Sequence, residues 1–567
     1  MSAVLRSLLP RRVRRLCVLA ATTVLLAVAC LPAPSHGSVE WVLQQVQVLH
    51  RHGSRSSNAD YNQSTICGAT PCGYLNPQGE TMMRNVGAFL RDRYNNDATV
   101  VDTPFLPSQD YDLDVVSSRS TDVLRTLQSA NRFLDGMFPN ASRLVPAVHT
   151  APIGTDVMLL PYRMPAVVLY WRYAVARQQA RLNPILDAIF PDWTELKQVG
   201  AVLWSEGYCS DYKSRLDCAK RLYDIAAAKR SIGELPAASG PYYDKLREII
   251  AEWHRQLWYY NTSDPFCVAQ GGRGLPFLQQ LLTNIDDNIA GRNTFKVMHY
   301  SAHDVTMGAV WGTLGDSSID AMQSPFAQAL VLELVKSAST GEYAVRVLRG
   351  WPGQSPDTDF AFSWDPTWKL QCRRSDGTSY VATDNMCPLE DFRRYVAGTV
   401  GTDPRGMCLL DADTTAVLDC PTTAAEQAGA VTLSPSCALY RTACPAYSCP
   451  SGYVLAASSS RCMCASSACL SADGAGTGTG TGTGTGNGTG TGTGTGDVHV
   501  TVQTRGVSGG AVAGIAIATF SVGALVAVAV TLLIVLVLLR RRNTGSARSS
   551  EPSDKYAAHG EHRQRDM

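Results

Sequence analysis

The chain has 567 residues, a formal net charge of +1 and charged side chains at 17% of its positions. This length allows more than one folded core. The balanced charge excludes a nucleic-acid-binding role based on a broadly basic surface, so any anion-binding site must be local.

The N-terminus has the pattern of a secretory signal peptide. Five arginines before residue 16 precede an apolar run over 16–29 that ends in Ala27-Val28-Ala29. This run is short for a membrane span. We therefore predict a signal peptide over residues 1–29, with cleavage after Ala33 or Gly37 as the later options.

The first predicted strand leads into a motif with catalytic chemistry. Val46 and Val48 lie two positions apart, and Arg-His-Gly-Ser-Arg follows at 51–55. Arginine donors suit phosphate oxygens, a neutral imidazole can attack phosphorus, and glycine allows close backbone approach. A solvated basic turn is the alternative, but the position at a strand end favours an active site.

A second strand is predicted from the alternating apolar residues at 111, 113 and 115, followed by Ser-Ser-Arg-Ser-Thr-Asp-Val-Leu-Arg-Thr at 117–126. Ser120 or Thr121 is a predicted N-cap for a helix that runs to about Met137. Arg125 then lies early in that helix, where a bound anion would offset its unfavourable position. Taken by itself, this segment is explained better by an arginine exposed to solvent on a capped helix than by an anion site.

The region 156–289 is mostly helical in pattern and is predicted to be an insertion that covers one edge of the sheet. Its predicted helices lie at 162–182, 185–199, 215–228, 242–260 and 275–289.

The third predicted strand, with Phe295, Val297 and Met298, precedes His303-Asp304, and residues 329–347 predict a hairpin with Gly341 in its second half. Together these elements predict an α/β domain over residues 38–398, with a mixed, mostly parallel sheet flanked by helices.

Ligand sites in open α/β sheets form beyond the carboxyl ends of strands. Three distant loops would therefore meet in one pocket, where cations bind a phosphoryl dianion and a carboxyl group donates a proton. No metal or other cofactor is needed for this chemistry. The pocket is predicted to contain Arg51, His52, Arg55, Arg125, His303 and Asp304.

Cysteines are concentrated in the next segment. Fifteen of the 17 cysteines lie from Cys67 to Cys469, and eight of them fall within 399–470, which predicts a small disulfide-stapled module in an oxidising compartment. The odd number implies a free thiol, an intermolecular bond or retention of Cys30. Zinc is disfavoured because no histidines lie nearby.

The remaining chain has the pattern of a membrane anchor. Residues 471–509 include an almost pure Gly-Thr repeat and predict a flexible stalk, and the uncharged apolar run at 511–539 predicts one transmembrane helix. Arg540, Arg541 and Arg542 place the tail, 540–567, in the cytoplasm. A removed lipid-anchor signal is the rival, but such signals do not end in a polar basic tail.

Three motifs resemble the histidine acid phosphatases of the histidine phosphatase superfamily. They are Arg-His-Gly-x-Arg at 51–55, Ser-Thr-Asp-Val-x-Arg-Thr at 120–126 and Tyr-Ser-Ala-His-Asp at 300–304, within a similarity that covers residues 42–348. The stalk, span and short tail also resemble the membrane-bound acid phosphatases of kinetoplastid protozoa.

The resemblance implies His52 as nucleophile and Asp304 as general acid. It implies phosphate binding by Arg51, Arg55, Arg125 and His303. The chain departs from the family at Ser57, where members often have proline, and this questions the rigidity of the first loop. His-Asp also differs from the His-Ala-Glu of some relatives, which disfavours a dedicated inositol-polyphosphate phosphatase.

The predicted protein is a type I membrane-anchored acid phosphatase that acts on phosphomonoesters outside the cytoplasm, at the cell surface or in endosomal and lysosomal membranes. Asn62, Asn140, Asn261 and Asn487 begin glycan acceptor triplets. Gly510 and Gly514 would permit a homodimer through the span, although such a pair more often reflects ordinary composition. A non-catalytic surface receptor or adhesin is the main alternative, and a phosphomutase or a specific lipid or sugar phosphatase is the rival within enzymes.

Overall fold

A computed structural model describes part of the chain. The described residues are 40–58, 66–140, 146–164, 167–169, 175–210, 212, 214–422, 425, 432–450, 452–456 and 461–464. The predicted signal peptide, stalk, span and tail all lie outside these ranges. Within them, no helix has both the length and the apolar character that crossing a bilayer requires.

A seven-stranded sheet, in the order β2-β3-β1-β4-β5-β6 with β9 also paired to β5, forms the centre of the fold. Its strands are β1 (Trp41–Arg51), β2 (Val116–Ser120), β3 (Val297–Ala302), β4 (Ala329–Ser337), β5 (Tyr343–Pro352), β6 (Phe362–Trp364) and β9 (Met386–Pro388). Two short hairpins lie apart from this sheet, β7 (Gln371–Arg373) with β8 (Ser379–Val381), and β10 (Tyr453–Ala456) with β11 (Arg461–Cys464).

The sheet is mixed, as predicted, but the prediction that it is mostly parallel is wrong. Only the β2–β3 and β3–β1 pairs are parallel, whereas β4 pairs antiparallel with β1 and β5, and β6 and β9 pair antiparallel with β5. The tight connection between β4 and β5, with Gly341 at φ 75°, reverses the chain and so enforces antiparallel pairing. This pair confirms the predicted hairpin.

The described helices are α1 (Pro77–Asn96), α2 (Leu124–Met137), α3 (Val175–Ile189), α4 (Trp193–Leu203), α5 (Arg215–Ser231), α6 (Gly240–Trp258), α7 (Pro265–Gln270), α8 (Leu275–Ile289), α9 (Asp304–Thr313), α10 (Ile319–Met322), α11 (Leu389–Ala397), α12 (Ala412–Ala416) and α13 (Pro435–Ala443). The predicted helix at 275–289 matches α8. Within the first predicted helix of the insertion, 162–182, the described residues 167–169 and those from Val175 onward are helical, and the second predicted helix begins later than expected, at Trp193.

Helices cover both faces of the central strands. On one face, Phe133 of α2 stacks on His299 of β3 with ring centroids 4.3 Å apart. On the other, Phe277 of α8 meets the Tyr300 ring edge-on at 5.1 Å. Because β1 and β3 are covered on both sides, they are buried along most of their length.

The second strand begins later than predicted. Residues 111–115 do not form it, because Asp112 makes a turn in which its side chain accepts from the Asp114 N–H at 2.8 Å and its carbonyl accepts from Val116 at 3.1 Å. The predicted caps for α2 are also wrong. That helix begins at Leu124 after Val123, which provides no side-chain cap.

Six disulfides occur among the described residues: Cys67–Cys72, Cys209–Cys218, Cys372–Cys387, Cys408–Cys444, Cys420–Cys437 and Cys449–Cys462. Cys464 is also disulfide-bonded, while Cys267 is a buried free thiol. The Cys-rich segment packs against α7, where Gln270 donates to the Leu409 carbonyl at 2.6 Å.

Candidate active site

The three parallel strands end at one edge of the sheet. Arg51 at the end of β1 is level with Ala302 of β3, and Ser120 at the end of β2 is level with Ser301. The next residues are held by the same strand, since His52 N–H donates to the Ala302 carbonyl at 3.0 Å and Thr121 N–H to the Ser301 carbonyl at 3.2 Å. The sheet thus brings the three predicted motifs together.

His52 is oriented by its own loop. Its Nδ1 lies 2.8 Å from the Gly53 carbonyl, which can only accept, so Nδ1 carries the proton and Nε2 is left with a free lone pair. Burial, followed by the charges of Arg125, Arg51 and Arg55, lowers the pKa of His52 well below its usual value. The imidazole is therefore neutral and suited to nucleophilic attack.

Three arginines surround this imidazole. Arg51 Nη2 pairs with Asp304 at 2.8 Å, Arg55 Nη2 pairs with Asp224 at 2.8 Å, and Arg125 Nη2 lies 3.4 Å from His303 Nδ1. Arg51 also donates to the Ser324 carbonyl and stacks over Phe326, with its guanidinium carbon 4.4 Å from the ring centroid.

Each of the three arginines has a buried Nε without a hydrogen-bond partner among the described residues. Burial and the neighbouring Arg55 lower the pKa of Arg125 to about 10, as expected where cations crowd together. Unpaired buried donors and mutually repelling cations are both relieved by a bound anion. The arrangement therefore fits a phosphoryl group.

His303 and Asp304 lie at the start of α9. The His303 ring is 5.7 Å from that of His52, centroid to centroid, and its Nε2 lies 2.9 Å from the hydroxyl of Thr121. Thr121 thus orients His303 instead of capping α2. Burial raises the pKa of Asp304, but Arg51 and His254 outweigh that effect and hold it below its usual value.

A second histidine pair lies next to the loop of His52. His50 Nε2 is 2.7 Å from His299 Nε2, His50 Nδ1 is 2.9 Å from the Arg51 carbonyl, and the Ser118 hydroxyl is 2.8 Å from His299 Nδ1. Both rings are fully buried. Burial lowers the pKa of His50 to about 4. The neutral pair fixes the peptide that joins Arg51 to His52.

Three neighbours of the site did not emerge from the sequence. Asp224 comes from α5 in the insertion, Phe326 lies before β4, and His254 of α6 has its Nδ1 2.8 Å from the Met322 carbonyl. None belongs to a local motif, because each reaches the site only through tertiary packing. Across the described ranges, no three His, Cys, Asp or Glu residues are grouped so that they could hold a metal ion.

The fold is an α/β fold in which a neutral histidine and three arginines meet at one edge of the sheet. Residues 58–165 match the histidine phosphatase superfamily (branch 2), a range that contains Arg125 and begins after the loop of His52. Within that range the chain carries a histidine phosphatase superfamily domain.

Curated relatives carry acid phosphatase names. Lysosomal acid phosphatase of Rattus norvegicus is 26% identical over 66% of this chain and 81% of its own length. Lysophosphatidic acid phosphatase type 6 of Bos taurus is 26% identical over 60% of this chain and 69% of its own. The Klebsiella sp. ASR1 phytase structure aligns at 17% identity and a TM-score of 0.47, over 66% of this chain and 99% of its own. The relatives place the chain among the phosphoric monoester hydrolases.

Proposed function

We propose that the protein hydrolyses phosphomonoesters through a phosphohistidine formed at His52. The observation that carries this proposal is the neutral His52 ring, with Nδ1 bonded to the Gly53 carbonyl at 2.8 Å, among arginines whose Nε donors have no partner in the described part of the chain. These donors would bind the phosphoryl oxygens, and His303 would contribute to the same clamp. Most of the rate gain would come from this preorganised charge.

In the first step, the lone pair on His52 Nε2 attacks phosphorus, and the bond from phosphorus to the ester oxygen breaks. Protonated Asp304 donates its proton to the departing alkoxide, which leaves as an alcohol. In the second step, water attacks the phosphohistidine and gives a proton to the Asp304 carboxylate. The nitrogen–phosphorus bond breaks, and inorganic phosphate and neutral His52 are regenerated.

The proposal also covers where in the cell the active site lies. The predicted signal peptide, the disulfides and the arginines at 540–542 support a type I orientation with the active site outside the cytoplasm. Relatives named lysosomal acid phosphatase favour the lysosomal or secretory route.

Rapid quenching tests the nucleophile. The protein is mixed with a ³²P-labelled aryl phosphate and quenched in alkali, which preserves phosphohistidine. We expect label on the wild-type protein and none on His52→Ala, with turnover lowered by about 10³-fold or more. His149→Ala, which removes an exposed histidine, is the matched control and should label normally. Label on the His52→Ala protein would exclude this nucleophile.

A further inference from the structure

The insertion reaches the proposed phosphate site through one carboxylate. Asp224 lies in α5, and its Oδ1 is 2.8 Å from Arg55 Nη2. Its other oxygen, Oδ2, accepts from the Ser57 hydroxyl at 2.6 Å and from the Asn58 backbone N–H at 2.7 Å. One side chain therefore holds both the guanidinium and the loop that follows it.

These contacts determine which donors of the Arg55 guanidinium are available to a bound anion. Nη2 is bound to Asp224, and Nη1 donates to the Ser56 carbonyl at 2.9 Å. Nε is buried without a partner among the described residues. The Arg55 side chain is only 8% exposed, so its guanidinium has little freedom to turn. Asp224 thus occupies the Nη2 end of the Arg55 guanidinium and leaves the Nε donor for another acceptor.

The same contacts stiffen the loop. Residue 57 is serine, which does not restrict the backbone as a proline ring would. Ser57 and Asn58 are instead tied to a carboxylate from a distant helix. Although burial opposes ionisation, Arg55 and these hydrogen bonds keep the pKa of Asp224 below its usual value, so the tie retains its charge.

We propose that Asp224 is a positioning residue that orients Arg55 toward the phosphoryl group and couples the helical insertion to the phosphate loop. This inference rests on the proposed function, since Arg55 must bind phosphate for its orientation to matter. Asp224 itself does not contact the reacting atoms. Its loss weakens phosphate binding more than it slows the chemical steps.

The test combines three substitutions at Asp224 with a control on the same helix. Asp224→Ala removes the carboxylate, Asp224→Asn keeps its size without its charge, and Asp224→Glu restores the charge. Asp217→Ala removes another carboxylate of α5, which pairs with Lys220 at 3.0 Å and is 52% exposed. Each full-length protein is assayed for KM and kcat on an aryl phosphate and for inorganic phosphate binding by calorimetry.

We expect Asp224→Ala and Asp224→Asn to raise both KM and the phosphate Kd roughly tenfold or more, with a smaller change in kcat. Asp224→Glu should recover part of the loss, and Asp217→Ala should match the wild type. The isosteric Asp224→Asn answers the question if the alanine variant does not fold. Unchanged KM and Kd, or a kcat that falls alone, would overturn the inference.

Calorimetry separates this inference from the proposed function. Phosphate binding does not require turnover, so a wild-type chain that binds phosphate without hydrolysing esters overturns the proposed function and still tests Asp224. A wild-type chain that neither binds phosphate nor hydrolyses esters overturns both.

Discussion

Asp304 has a charge state that constrains the proposed chemistry. Its carboxylate pairs with Arg51 at 2.8 Å, and the pKa is held below the usual value although burial acts in the opposite direction. A general acid must nevertheless begin the reaction protonated. When the pH is below its second pKa, which is about 6, a phosphomonoester still carries one proton. Asp304 could take this proton when the phosphoryl group also binds Arg51, because the carboxylate then no longer has that cation to itself. The substrate would then supply the catalytic proton.

The pH profile should therefore depend on the ester. Because the pKa of His52 is lowered, the nucleophile stays neutral as pH falls below the ordinary histidine value of 6.5, so the acid limb of kcat/KM should lie below that value. As pH rises, kcat/KM should fall through the second pKa of the ester. Profiles for two aryl phosphates that differ in this pKa should show alkaline limbs displaced in the same direction. Coincident alkaline limbs would mean that the proton resides on the enzyme.

At the scale of elements, the loop after β1 is held by direct backbone contact with α1. A Cβ added to Gly53 would lie 2.4 Å from the Gly79 carbonyl oxygen, and one added to Gly79 would lie 2.0 Å from the carbonyl oxygen of Ser54. From the side of α2, the Ser129 hydroxyl accepts from the Gly53 N–H at 3.0 Å. The loop that carries His52 thus depends on two glycines that permit close approach.

Gly79→Ala should disturb this contact. The added methyl group meets backbone atoms that must move, so we expect a loss of about 1–3 kcal/mol in the free energy of unfolding, together with a lower kcat/KM. Urea unfolding and steady-state kinetics measure the two effects. Gly240→Ala is the control, since no atom lies within 4 Å of the added Cβ and the site is helical. Equal stability of the two variants would contradict the proposed packing constraint.

Local patterns predicted some elements well and others poorly. The motif at 51–55 and helix α8 follow from strand and helix periodicity in their own segments. The directions of β4 and β5 depend on which strands they adjoin, and apolar periodicity does not encode that choice. Asp224 was missed for a similar reason: it lies on an ordinary helix, and only the tertiary fold brings it within 2.8 Å of Arg55.

At the scale of the molecule, the Cys-rich segment packs on the domain that carries the site. Gly272 N–H donates to the Thr399 carbonyl at 2.9 Å, and Gln270 binds the Leu409 carbonyl at 2.6 Å. The Cys408–Cys444 and Cys420–Cys437 disulfides constrain the Cys-rich segment from residue 408 to residue 444. All residues that the structure describes, from 40 to 464, fall within one compact unit. Anchoring and catalysis should therefore be separable.

A chain that ends after residue 509 tests this separation. It lacks the predicted span at 511–539 but keeps every proposed site residue, all of which lie between Arg51 and Asp304. After expression through the secretory pathway and centrifugation without detergent, we expect this chain in the supernatant with the kcat of the full-length protein. A chain that ends after residue 542 keeps the span and the three arginines, and it should sediment with membranes because an apolar run of that length can cross the bilayer. Sedimentation of the shorter chain would place the anchor elsewhere, and loss of its kcat would show that the span or tail supports the active site.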